Sequence, residues 1–113
     1  MQILQLIDTQ LPKIVRKERM SEGRICLYST GGYWVAFEHS AYMLSQLFPK
    51  CEVSTIAHKA YPFPVVMTSI SDASLRKFSR QHIFSCDEAE YKELMSERIE
   101  TRKYHTWRES ITN

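Results

Sequence analysis

The residues best placed for recognition are two aromatic rings behind a glycine turn, Thr30-Gly31-Gly32-Tyr33-Trp34. Paired glycines give a tight, permissive tip and present both rings directly after it. A ring held there can stack on a nucleic-acid base. The alternative is structural: one ring packs on the core and the other covers the sheet. The side chains that would neutralise phosphate fall in two runs, Lys13, Arg16, Lys17 and Arg19 in the first and Arg76, Lys77 and Arg80 in the second. Residues 1–86 hold ten Lys/Arg against six Asp/Glu, and residues 87–113 hold five against seven, so the body is more basic than the tail. Two runs of this size support modest, salt-sensitive contact with phosphate. Each also reads as ordinary solvated surface.

The sequence carries few signs of covalent chemistry. There is no Gly-x-x-x-x-Gly-Lys loop and no Gly-x-Gly-x-x-Gly, so ATPase and dinucleotide readings lack the glycine-exposed amides that cradle phosphate. No His-Glu-x-x-His occurs, and His39, His58, His82 and His105 stand apart from one another. Glu38, Glu52 and Asp72 form no local pair suited to acid–base work. Cys86 beside Asp87 resembles an activated thiol, but a core thiol at a strand end is the favoured reading. The expectation is a protein that is not an enzyme, with no cofactor and no metal.

The bulk properties fit that expectation. At 113 residues and 13.3 kDa the chain is the size of one domain. Its 43% hydrophobic and 25% charged residues are ordinary globular usage, which excludes a disordered tail or a fibre. A net charge of +2 permits nucleic-acid binding without announcing it. Cys26, Cys51 and Cys86 are odd in number and lack zinc or redox spacing, so they are expected to be reduced and mostly buried. No apolar run approaches the roughly 18 residues of a membrane span, and the opening residues lack a basic flank. A cytoplasmic location follows as an expectation.

The elements that must position these residues are legible from periodicity and punctuation. Leu11, Ile14 and Val15 predict a helix over 11–22, with Pro12 in its first turn and Gly23 past its end. Residues 24–29 read as a central strand, apolar on more than one face, and 33–37 as its hairpin partner. Ala41, Leu44, Leu47 and Phe48 predict a helix over 38–48 ended by Pro49. Residues 52–57 and 64–68 read as strands, the second at an edge or starting late because of Pro62 and Pro64. A short capped helix over 71–78 and a strand over 82–86 follow. The acidic opening Asp87-Glu88-Ala89-Glu90 predicts a C-terminal helix over 89–109. The expected fold is α/β in the α+β sense: one domain over 1–113, with a mixed-sheet core over 24–88 flanked by helices.

The hairpin and the helix after it resemble the N-terminal mismatch-recognition domain of the MutS family. That domain carries a Gly-Asp-Phe-Tyr-Glu-x-Phe stretch between an apolar strand and a helix. Here the stretch reads Gly31-Gly32-Tyr33-Trp34-Val35-Ala36-Phe37, and Ser40-Ala41 opens the helix. Pro62-Phe63-Pro64-Val65-Val66 is similar to the family's Pro-rich strand, Ser74-Leu75-Arg76-Lys77-Phe78 to its Tyr-Leu-x-Lys-Leu helix, and Ile83-Phe84-Ser85-Cys86-Asp87 to its closing strand. The likeness spans about residues 11 to 88.

The resemblance implies DNA binding of the mismatch-repair type. The family's wedging Phe falls on Tyr33, which keeps a stacking surface. The family's Glu, which hydrogen-bonds the mispaired base, falls on Val35, which cannot. The aromatic half of the reader is present and the polar half is not. The implied partner is DNA or RNA, and the implied role is that of a MutS-like accessory protein without an ATPase, such as those beside reverse transcriptases in diversity-generating retroelements. The residues expected to bind are Gly31, Gly32, Tyr33, Trp34, Lys13, Arg16, Lys17, Arg19, Arg76, Lys77 and Arg80. The rival reading is a protein-interaction module, docking a polymerase such as a reverse transcriptase or forming a homo-oligomer. It would use a C-terminal helical stripe of Tyr91, Leu94, Met95, Ile99 and Trp107.

Overall fold

The computed structural model describes residues 3–20, 23–80, 84–96 and 100–112. The chain runs α1 (Ile3–Met20), β1 (Arg24–Ser29), β2 (Tyr33–Phe37), α2 (Glu38–Leu47), β3 (Glu52–Ile56), β4 (Val65–Ser71), α3 (Asp72–Ser79), β5 (Phe84–Asp87), β6 (Tyr91–Met95) and α4 (Thr101–Thr112). One six-stranded sheet has the order β3-β4-β2-β1-β6-β5. The fold is α+β, as the patterning predicts.

Every adjacent pair of strands is antiparallel, so the sheet is not mixed. Three hairpins account for this: β1–β2 lies at the centre, β3–β4 joins β2, and β5–β6 joins β1. No crossover helix links parallel neighbours, which a mixed sheet would require.

The two faces of the sheet follow from strict alternation. Val35, Phe37 and Val65 pack with Leu6, Leu11, Ile14 and Val15 of α1. Ile25, Leu27, Trp34, Ala36, Ile70 and Leu94 pack with Leu44 of α2 and Leu75 of α3 on the other face. Tyr28 stands opposite Val35 on one side and Tyr91 on the other, so all three share the α1 face. Ser69 stands opposite Val35, and Ser71 opposite Tyr33, extending that face across β4.

The predicted C-terminal helix over 89–109 is wrong in its first part. Tyr91–Met95 is a strand, bonded to β1 from Arg24↔Met95 to Tyr28↔Tyr91. The helix begins only at Thr101. Its acidic opening is instead the tight link between β5 and β6, closed by the Glu88 N–H donating to the Tyr91 carbonyl at 2.9 Å. The expected apolar stripe therefore does not exist as one face: Leu94 is in the core, Met95 is exposed, and Tyr91 covers Tyr28. Ile99 lies outside the described residues.

The first helix begins at Ile3 rather than 11, which places Pro12 in its interior. Pro12 is exposed, and the bond it forfeits falls on the solvent side, where water can satisfy the freed carbonyl. The strand over 65–71 is not at an edge; β3 is, and β4 starts after Pro64. The predicted strand over 82–86 is seen from Phe84, its first two residues lying outside the described ones. Among the described residues no helix is long and apolar enough to cross a membrane.

Candidate functional site

The ribbon tip is built by its own backbone. The Thr30 N–H donates to the Tyr33 carbonyl at 2.9 Å, with Gly31 at φ 62° and Gly32 at φ 86°. Those angles favour glycine. A Cβ at either glycine would meet nothing within 4 Å, so the tip is open to solvent. The Asp72 N–H donates to the Gly32 carbonyl at 2.9 Å and pins the tip to the start of α3.

Tyr33 and Trp34 then take opposite fates because they point to opposite faces. Tyr33 is 54% exposed, beyond the reach of α1. Trp34 is 4% exposed, within the core under α2 and α3, and is not a stacking surface. Its indole Nε1–H donates to Asp72 Oδ1 at 2.9 Å, and Arg76 Nε donates to Oδ2 at 2.6 Å. The Trp34 bond, and then the Arg76 bond and charge, hold the Asp72 carboxyl below its usual range. Lys92 Nζ lies 5.2 Å from the Trp34 ring centroid.

A groove of about 500 Å³ runs beside Tyr33, bordered by Lys50, Glu52, Ser69, Ser71 and Ser74. It combines one exposed ring, one ammonium, the Glu52 carboxylate and three hydroxyls, and its other wall, from Leu47, Phe48, Pro49 and Ile70, is apolar.

The two basic runs do not converge. Lys13, Arg16, Lys17 and Arg19 belong to α1, on the Val35 face, whereas Arg76 and Lys77 of α3 and Arg80 after it belong to the Trp34 face. Lys13 and Lys17 border a cleft of about 330 Å³ floored by Tyr28 and Tyr91. Lys17 donates to the Tyr91 hydroxyl and lies 3.9 Å from Glu93. Arg19 faces away from these, toward a different cleft.

That cleft borders a polar cluster that the sequence reading missed. Glu18 is 3% exposed. Its Oε1 accepts from the Ser40 N–H at 2.8 Å and its Oε2 from the Ser40 hydroxyl at 2.7 Å, while Ser40 Oγ accepts from the Cys26 N–H at 2.9 Å. Burial pushes the Glu18 carboxyl up to about 7 against the lowering effect of the Ser40 bonds, and the nearby Glu38 adds to the rise. Glu38 is also buried, and accepts from the Tyr104 hydroxyl at 2.8 Å and from Arg108 Nε at 3.0 Å and Nη2 at 3.3 Å. Glu38 adopts φ 49°, in the left-handed region that side-chain-bearing residues seldom visit. One signal for Glu18 was available. It follows Leu11, Ile14 and Val15 on the apolar stripe of α1, and a carboxylate there must be buried and hydrogen-bonded.

The cysteines are free: Cys26 is buried, Cys51 and Cys86 half-buried. Desolvation is the largest influence on each thiol and raises all three, which disfavours the reactive thiolate at neutral pH. Among the described residues no three His, Cys, Asp or Glu side chains are grouped to hold a metal ion. Comparison of the chain with protein-family models, with curated proteins and with solved structures finds no match to any of them.

Proposed function

We propose that this domain binds unpaired nucleic acid without altering it covalently, with Tyr33 as the stacking surface. The observation that carries the reading is the exposure of the Tyr33 ring at an open glycine tip, beside a groove in which Lys50 and three serines accompany a single carboxylate, Glu52. A base laid on the ring leaves its sugar and phosphate over the hydroxyls and the ammonium. Lys13 and Lys17, on the same face across Tyr28, supply further phosphate contacts. Arg76, Lys77 and Arg80 belong to α3 and the residue after it, on the Trp34 side, and serve a ligand that continues past the Ser74 wall of the groove. Trp34 takes no part, and Val35, buried beneath α1, offers no polar contact to a mispaired base. The reading is therefore of a MutS-like accessory binder of single strands or flexible junctions. Service to a reverse transcriptase in a retroelement rests on the family resemblance alone.

Fluorescence anisotropy at low salt with labelled single-stranded DNA, single-stranded RNA, duplex, bubble and mismatched duplex tests it. Single strands and bubbles are expected to bind most tightly, and Tyr33→Ala to cost about tenfold, the scale of one lost base stack. Absence of binding to all five probes, or equal binding by Tyr33→Ala, overturns the reading. The rival docking surface on the C-terminal helix has less to offer: Tyr104 is buried, and the Trp107 and Tyr42 rings meet edge-on with centroids 5.3 Å apart.

A further inference from the structure

The cleft on the far side of α1 encloses about 350 Å³ where α1, α2 and α4 come together. Its walls are chiefly apolar: Val15, the Phe63 ring and the Tyr104 ring. This composition, apolar walls with a few fixed polar groups, is that of small-molecule sites.

The charged groups divide into committed and reachable. Both carboxylates are committed: Glu38 to Tyr104 and Arg108, and Glu18 through both oxygens to Ser40. Arg108 bridges Glu38 and the Pro64 carbonyl, with its guanidinium carbon 5.2 Å from the Phe63 ring centroid. The exposed polar residues at the rim are Arg19 and His105. The groups a ligand meets first are therefore a guanidinium and an imidazole rather than a carboxylate. The left-handed backbone at Glu38 is a further mark of a built site, since such strain persists where surrounding structure enforces it.

We propose that this cleft binds a small organic acid, its apolar or aromatic body between Val15, Phe63 and Tyr104 and its carboxylate at the Arg19–His105 rim. The inference does not depend on the nucleic-acid reading. It carries a proton linkage. The groups around Glu18 are Arg19 on its own helix, Glu38 and His39 on α2, Cys26 and Tyr28 on β1, and Tyr104, His105 and Arg108 on α4. An anion in the cleft disfavours ionised Glu18, so binding takes up a proton and tightens as pH falls through about 7.

A ¹H–¹⁵N NMR titration with phenylacetate and with phenethylamine, the same ring with opposite charges, is the test. Phenylacetate is expected to shift the Val15, Phe63 and His105 amides saturably, and phenethylamine is not. Its affinity is expected to fall about fivefold to tenfold between about pH 6 and pH 8, and Glu18→Gln to flatten most of that fall. Arg19→Gln, at an exposed position, is expected to weaken binding about fivefold, and it carries the test if Glu18→Gln does not fold. Absence of a saturable shift with phenylacetate, equal binding of the amine, or full affinity in Arg19→Gln overturns the proposal.

Discussion

Ser40 gives both of its donors to Glu18, the backbone N–H at 2.8 Å and the hydroxyl at 2.7 Å, and so joins the end of α1 to the start of α2 inside the protein. No cation among the described residues forms an ion pair with Glu18 within 4.0 Å. Its carboxyl is raised to about 7 from 4.5, so the folded state holds this proton more tightly than the unfolded chain. That stabilisation is complete below about 4.5 and is lost as pH rises through about 7. The shift corresponds to about 3 kcal/mol. Melting temperature is expected to decline over that interval in the native protein, and much less in Glu18→Gln. An equal decline in both removes Glu18 as the cause.

Tyr33 and Trp34 are neighbours in sequence with opposite roles, and substitution separates them. Tyr33→Ala changes an exposed side chain and is expected to alter stability by under about 0.5 kcal/mol while weakening nucleic-acid binding. Trp34→Ala empties a core position and abandons the Asp72 bond, with an expected loss of about 3–5 kcal/mol. Urea unfolding of both variants beside their anisotropy curves gives the comparison. A destabilised Tyr33→Ala would place that ring in the packing.

Glu38 anchors α4 through Tyr104 and Arg108. Glu38→Gln removes the charge from a pair in which Arg108 keeps some access to solvent, and a loss of about 2–3 kcal/mol is expected. Hydrogen exchange of the α4 amides should accelerate more than that of β1 and β2. Uniform acceleration would mean that α4 does not open separately.

Ser71 caps α3, its hydroxyl accepting from the Ser74 N–H at 3.2 Å. Ser71→Ala is expected to cost about 1 kcal/mol in chemical denaturation. Because this hydroxyl also borders the groove beside Tyr33, a loss of affinity beyond the change in stability would mark a direct contact with ligand.

Most of the elements were legible because punctuation and period agree. Gly31-Gly32 could only be a turn, Pro49 could only stop a helix, and Ser71 precedes a helix it caps. The segment 91–95 was not legible locally. It follows an acidic opening suited to a helix, and its alternation of Tyr91, Glu93 and Met95 against Lys92 and Leu94 is a weak strand signal. The stronger signal is remote: β1 is apolar on both faces, as interior strands are, and an interior strand has both hydrogen-bonding edges paired, while its hairpin partner pairs only one. Tertiary pairing then overrides local propensity. The tip was readable from glycine alone, but which of its two rings faces water depended on where α1 ends its cover. The Glu18 cluster depends on residues 18, 38, 40, 104 and 108 meeting in space, which no local spacing reveals.

The pairing of β1 with β6 has a consequence for how the chain is made. The central hairpin leaves the ribosome before β6, so one long side of Arg24–Ser29 stays bare until Tyr91–Met95 has been synthesised. Until then the nascent domain displays a hydrogen-bonding edge of apolar character, open to any passing strand. Only β6 closes it, which makes Tyr91–Met95 the seal on the newborn sheet as well as part of the finished one.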